Sequence, residues 1–216
     1  MINLKKLDKM EGLSFKNALR LHFDSMLLFE SKSYPSSFFL SVLAQEEIGK
    51  VFLLEDFIFR SSIERMSEEW EKKWINMFYK HPTKQWNFFL GGGSEYSFDK
   101  DFTKKVYSGK IEIDKQNSVY VGLDRKKGII NMKGKINSPF NIKRKKARDQ
   151  IIVVNDFLLE LILLTVGNYG GLDNEDVNKL INKKLYKKIK FLWKHKNQKT
   201  SRYKRIQSLK KLNKLT

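Results

Sequence analysis

The chain has 216 residues, with 43 Lys and Arg against 24 Asp and Glu, no cysteine, and a formal net charge of +19. At 41% hydrophobic and 13% aromatic it holds enough apolar residues for a core, which excludes a disordered basic tail. The absence of cysteine excludes a disulfide scaffold, thiolate metal sites and a cysteine nucleophile, and only three histidines (His22, His81, His195) argue against a His-rich metal site.

In chain order, residues 1–10 mix Leu with Lys and show no apolar stretch of a secretory signal. From Leu13 to about Phe29 the apolar residues follow a helical period, ended by Ser33-Tyr34-Pro35. Pro35 suits the first turn of a second helix, which runs through Phe39, Val42, Leu43, Leu53, Leu54 and Phe57 to about Ser61. Ser67, followed by Glu68, Glu69 and Glu71, predicts an N-cap with an acidic first turn, opening a Trp-rich helix that ends near Tyr79. His81-Pro82 breaks that helix, Thr83 to Leu90 form another short one, and Gly91 to Ser94 give a flexible break.

Residues 118–122 and 128–132 then read as two strands joined by the charged turn 123–127. After Pro139, residues 141–166 predict a long helix, basic in its first turns and apolar thereafter, closed by Gly167, Gly170 and Gly171. Its apolar part, 151–166, is shorter than a bilayer requires and contains Asn155, Asp156 and Glu160. Asp173, with Glu175 and Asp176 behind it, is expected to cap a further helix. Tyr203, Ile206, Leu209, Leu212 and Leu215, three apart among Lys and Arg, predict an amphipathic basic helix in the tail. The expected fold class is mainly α, with a β-hairpin inserted around 118–133. Residues 1–172 form the helical domain and 173–216 a basic helical extension. The expected protein is soluble and cytoplasmic, without a membrane partner.

The charge is unevenly spread. Residues 1–124 hold 18 basic and 18 acidic side chains, and 125–148 hold ten basic and none acidic. Residues 149–176 hold six acidic and none basic, and 177–216 hold fifteen basic and none acidic. The two basic blocks predict a polyphosphate partner, nucleic acid ahead of membrane, with Arg144, Lys145 and Arg148 as candidate substrate-binding cations. A solvated Lys-rich surface is the other reading, since Lys outnumbers Arg 35 to 8 and Arg suits planar phosphate recognition better.

The second helix carries charges on its apolar face. At 100° per residue from Phe39, Glu46 falls at about 340° and Lys50 at about 20°, inside the apolar arc, with Glu47 at its edge near about 80°. Glu46 and Lys50 stand at i,i+4 in the favourable order, so a buried pair is expected. Such a pair seldom stabilises a core better than apolar residues of like volume. Either these residues line a wet seam between helices, or Glu46, Glu47 and Lys50 line a functional site. Gly49 favours the second, because it lets a neighbouring backbone approach.

His81 precedes Pro82 and so sits at the mouth of a helix, where the dipole favours the neutral base. With Lys84 and Gln85 it offers a base, a cation and an amide in one short span. That set suits a phosphodiester, His81 taking a 2′-hydroxyl proton and a lysine stabilising the phosphorane charge. A loop histidine with solvated neighbours is the alternative. His22 reads as packing, His195 as part of the basic surface, and Asn17 and Asp24 share one face of the first helix. There is no P-loop, Gly-x-Gly-x-x-Gly, His-Glu-x-x-His or Gly-x-Ser-x-Gly motif, which argues against nucleotide hydrolases, dehydrogenases, zinc peptidases and serine hydrolases.

The run Ser41-Val-Leu-Ala-Gln-Glu-Glu-Ile-Gly-Lys50, with Asn17-Ala18 and Asp24 upstream, resembles the AbiV family of abortive-infection proteins. His81-x-x-Lys84-Gln85 and Val119-Tyr-Val121 complete the order of features, over roughly residues 13–165. The resemblance implies a HEPN-type antiparallel helical bundle that forms a homodimer with its site at the dimer cleft. It also implies a phage-defence effector, a metal-independent endoribonuclease without cofactor that shuts down translation when a phage-encoded activator or other infection trigger appears. The usual HEPN motif, Arg then His after four to six residues, is not met. The corresponding positions are Trp74, Ile75 and Asn76 before His81, Phe15, Lys16 and Asn17 before His22, and Lys188, Ile189 and Lys190 before His195. Glu46, Glu47, Lys50 and His81 are the catalytic candidates that remain, with Lys84 and Gln85 beside them for substrate. The alternative function is a non-catalytic protein that binds RNA, the ribosome or a phage protein.

Overall fold

The computed structural model describes residues 3–64, 66–91, 100–126, 129–166 and 172–193. Of the break expected at 91–94 only Gly91 is described, at the end of a helix; residues 92–94, the glycines expected to close the long helix, His195 and the expected tail helix lie outside them. Helix α1 (Leu4–Glu30) and helix α2 (Tyr34–Ile63) form a long hairpin. Lys32, at φ 63°, takes the left-handed conformation between them. The Ser33 N–H closes on the Leu28 carbonyl at 2.9 Å and the Lys32 N–H on Phe29 at 3.0 Å, which satisfies the last carbonyls of α1. The start of α1 lies well before Leu13, because Leu7 is buried in a small cluster with Leu53, Leu54, Phe57, Trp74 and Phe78.

Helix α3 (Glu68–Met77) is capped as its sequence predicts, Ser67 Oγ accepting from the Trp70 N–H at 3.3 Å. Helix α4 (His81–Gly91) packs on α2. Two further helices, α5 (Lys100–Tyr107) and α6 (Lys110–Asn117), precede the hairpin and have no counterpart in the sequence reading. The hairpin is displaced from its expected place. Strand β1 (Gly122–Leu123) pairs antiparallel with β4 (Ile136–Asn137), and β2 (Arg125–Lys126) with β3 (Ile129–Ile130). Residues 118–120 are drawn into the end of α6 instead, since the Ser118 N–H bonds Asp114 at 3.0 Å and the Tyr120 N–H bonds Gln116 at 2.9 Å.

A 3₁₀ turn (Pro139–Asn141) delays the long helix α7 to Arg144–Val166. Helix α8 (Glu175–Leu180) is capped by Asn174, not Asp173: Asn174 Oδ1 accepts from the Val177 N–H at 3.0 Å, while the Asp173 N–H donates to Glu55. Helix α9 (Lys183–Leu192) is capped by Asn182. The main core joins Phe15 and Phe29 of α1, Phe38 and Ile48 of α2, Phe88 of α4 and Ile151 and Phe157 of α7. Val177, Ile189 and Trp193 enter the same core, so α8 and α9 pack on the bundle. The fold is mainly α with an inserted hairpin. Among the described residues no helix is long and apolar enough to cross a membrane.

One acidic seam has a measurable consequence. Glu11 is buried, and burial together with the nearby Glu55 and Asp8 carboxylates pushes its carboxyl up to about 8. The folded state therefore holds a proton that the unfolded chain releases in the usual carboxylate range, and stability falls as pH rises from that range through about 8. Glu11→Gln is expected to melt higher than wild type near neutrality and above. The gap should close in acid, where both side chains are uncharged. A melting difference independent of pH would refute this.

Candidate active site

Glu46 lies on the fourth turn of α2 and is 1% exposed. A bare carboxylate there would be prohibitive, and four side chains from two other helices surround it. His81 Nδ1 stands 2.6 Å from Oε2, and Lys84 Nζ lies 3.8 Å from the same oxygen. Oε1 accepts from Gln85 Nε2 and Lys115 Nζ, each at 2.8 Å. His81, Lys84 and Gln85 share one face of α4 because they stand three and four residues apart. Lys115 comes from α6, as does Glu112, whose Oε2 accepts from Lys115 at 2.7 Å and from Gln85 at 3.1 Å. Lys115 and Gln85 thus each bridge the same two carboxylates. Glu112 Oε1 also accepts from Gln116 at 3.1 Å.

Gly49 explains how α4 comes so close. A Cβ at Gly49 would lie 1.8 Å from the Lys84 carbonyl oxygen. One turn of α2 thus presents the carboxylate and the gap into which α4 settles.

The geometry fixes the histidine tautomer. Oε1 already accepts from an ammonium and an amide, and a carboxylate only accepts, so the His81 ring donates through Nδ1–H. In the neutral ring Nε2 is the nitrogen that carries the lone pair, and it has no hydrogen-bond partner among the described residues. The His81 side chain is 48% exposed, so this nitrogen belongs to a group that solvent reaches. A carboxylate holding one ring nitrogen while the other stays open is the arrangement of a general base. Glu46, His81 and Glu112 also place ligand atoms within 4.8 Å of one another. Lys115 Nζ stands between the two carboxylates, where it supplies the positive charge that a metal ion would otherwise bring.

The expected Glu46–Lys50 pair does not form. Lys115, far off in sequence, takes that carboxylate, and among the described residues neither Lys50 nor Glu47 forms an ion pair; both are half-buried. Asn17 and Asp24 do share a face, but both bind Arg20 at an exposed position and do not enter this site. At the start of α7, Arg144 and Lys145 are exposed, Arg144 lies 5.4 Å from the centre of the Phe29 ring, and Arg148 pairs with Asp149 at 2.9 Å. Lys146 reaches Asp114 of α6 at 2.8 Å, tying this basic turn to the helix that completes the site. His22 is fully buried against Asn155 at 2.8 Å, and burial pushes its imidazole down to about 4, so it stays neutral packing.

The AbiV family model, of HEPN type, matches residues 7–160. The chain belongs to the AbiV family. The match spans α2, α4 and α6, so every residue of the Glu46 cluster in this AbiV protein lies within it. Abortive infection and a HEPN-type fold come with that membership. No curated protein and no solved structure matches the chain. Glu112 and Lys115 are the site residues that sequence reading missed. The available sign was the helical spacing of Ile111, Asp114 and Lys115 in α6 with Ser118 at its C-cap; the structure buries all four.

Proposed function

We propose that this AbiV protein is an abortive-infection effector that cleaves RNA without a metal ion once phage infection triggers it. The observation that carries the reading is the His81 Nδ1 to Glu46 contact of 2.6 Å beneath an open Nε2. Nε2 takes the 2′-hydroxyl proton, the 2′ oxygen attacks the adjacent phosphorus, and the 5′ oxygen leaves with a proton from solvent. Lys84, beside the same carboxylate oxygen, and Lys50, one turn along α2, supply positive charge for the phosphorane. Gln85, Glu112 and Lys115 act as positioning residues that hold Glu46, while Arg144, Lys145 and Arg148 hold the RNA backbone. Two protomers forming one cleft belong to the same reading, and a dimeric mass in solution is its expected sign.

The test is incubation of the full chain with total RNA in EDTA, with and without infected-cell lysate. Wild type is expected to give discrete fragments once the lysate is present and His81→Ala none, at a temperature where both are shown to be folded, since loss of the 2.6 Å contact to buried Glu46 also lowers the melting temperature. RNA left intact by triggered wild type would overturn the reading and leave a non-catalytic RNA- or ribosome-binding protein.

A further inference from the structure

The segment between α6 and α7 exposes apolar surface that the bundle does not need. Tyr120 and Phe140 are 69% and 80% exposed, and they flank the ladder that pairs Gly122 with Asn137. The exposure continues along the hairpin to Ile129, Met132 and Ile136. Nothing in folding favours holding such side chains in water, and contiguous exposed apolar surface marks a binding surface.

The charge around it identifies the occupant. Lys133, Lys135, Lys143 and Arg144 are exposed, and residues 125–148 contain ten basic side chains and no acidic one. The adjacent acid, Asp124, is engaged within the hairpin, accepting from Asn137 Nδ2 at 3.1 Å. Lysine is depleted from the cores of protein–protein interfaces, so a Lys-rich apolar arm is a poor match for a protein partner. Aromatic faces set among lysines suit a nucleic acid strand, whose bases stack while its phosphates are neutralised. The bases must be unpaired to present those faces, which selects a single strand over a duplex.

The arm also starts at the site. Tyr120 follows α6 directly, with its N–H on the Gln116 carbonyl, and the Gln116 side chain donates to Glu112. Lys115, which bridges Glu46 and Glu112, stands in the last turn of α6, and Tyr120 follows three residues after that helix ends at Asn117. A strand whose phosphodiester lies at His81 can therefore continue onto the hairpin.

We propose that the hairpin between α6 and α7 is a docking arm for single-stranded RNA, with Tyr120 and Phe140 as base-stacking platforms and the flanking lysines on the phosphates. The proposal rests on the RNA-directed reading of the His81 site.

It is tested by fluorescence anisotropy of an unstructured RNA oligonucleotide on the full chain carrying His81→Ala, so that cleavage does not intervene. The expected result is binding that weakens steeply with salt and is stronger for the single strand than for its duplex. Tyr120→Ala and Phe140→Ala should each weaken binding by roughly tenfold, whereas Tyr120→Phe should not, since stacking needs only the ring. Alanine variants that bind within about twofold of the background would overturn the proposal, as would equal affinity for duplex. So would variants that keep their RNA affinity but drop from dimeric to monomeric mass, which would make the arm a self-association surface. The two readings fail separately. Intact RNA that binds through Tyr120 and Phe140 defeats the nuclease and supports the arm, whereas cleaved RNA bound equally well by the alanine variants defeats the arm alone.

Discussion

Gly49→Ala is expected to destabilise the protein by about 2 kcal/mol or more and to abolish whatever the Glu46–His81 site does. A Cβ at position 49 would lie 1.8 Å from the Lys84 carbonyl oxygen, 2.8 Å from its carbon and 2.9 Å from the Phe88 nitrogen. Those are backbone atoms, which cannot turn aside as a flexible side chain can, so α2 and α4 must separate. Overpacking of this kind costs roughly 1–3 kcal/mol in ordinary cores, and a backbone clash belongs at the upper end. The better helix propensity of alanine returns only about 1 kcal/mol. Because α4 brings His81, Lys84 and Gln85 to Glu46, the separation also breaks the network that orients the imidazole. Gly122→Ala is the control, since a Cβ there meets nothing within 4 Å. Urea titration of both variants reads the result, and a Gly49→Ala midpoint equal to wild type would mean that the helices are not in contact there.

Glu46→Ala is expected to have an effect of similar or larger size. It leaves Lys115, 5% exposed, with one carboxylate instead of two, and it strips Gln85 of one acceptor and His81 of its orienting partner. Removing one member of a buried ion pair typically costs about 3–5 kcal/mol, because the remaining charge is stranded. Glu112 still faces Lys115, which places the expected loss near about 3 kcal/mol, toward the low end. Part of this loss is the buried cation left with one carboxylate instead of two, so adding Lys115→Met to Glu46→Ala should recover part of it. A coupling of at least about 1 kcal/mol in that cycle supports the network. Strict additivity would show that the two side chains do not share an environment.

The sequence made part of this site legible for a definite reason. A helix wheel is local arithmetic, and it was enough to mark Glu46 as a charge on an apolar face and Gly49 as a place of close approach. The same locality gave Glu46 the wrong partner. Lys50 was the nearest cation at helical spacing, but the carboxylate is neutralised by Lys115, brought in by tertiary packing across 69 positions. Helix α6 is not legible because it is short and polar, and its helical spacing is carried by Asp114 and Lys115 as much as by Ile111. The hairpin is legible in the sequence, but its register is not. Val119-Tyr-Val121 has strand character, yet hydrogen bonds back into α6 hold its beginning and move the ladder to Gly122. Asp173 and Asn174 are comparable caps by type, and the choice fell to Asn174, which also donates to Asp8 at 2.8 Å.

The central proposed step is abstraction of the 2′-hydroxyl proton by His81, and the ends of the cleaved RNA report on that step directly. With infected-cell lysate as trigger and EDTA present, wild type is predicted to leave 2′,3′-cyclic phosphate and 5′-hydroxyl termini that are missing from the same reaction with His81→Ala. Fragments ending in 3′-hydroxyl and 5′-phosphate, or cyclic phosphate ends produced equally by His81→Ala, would contradict it.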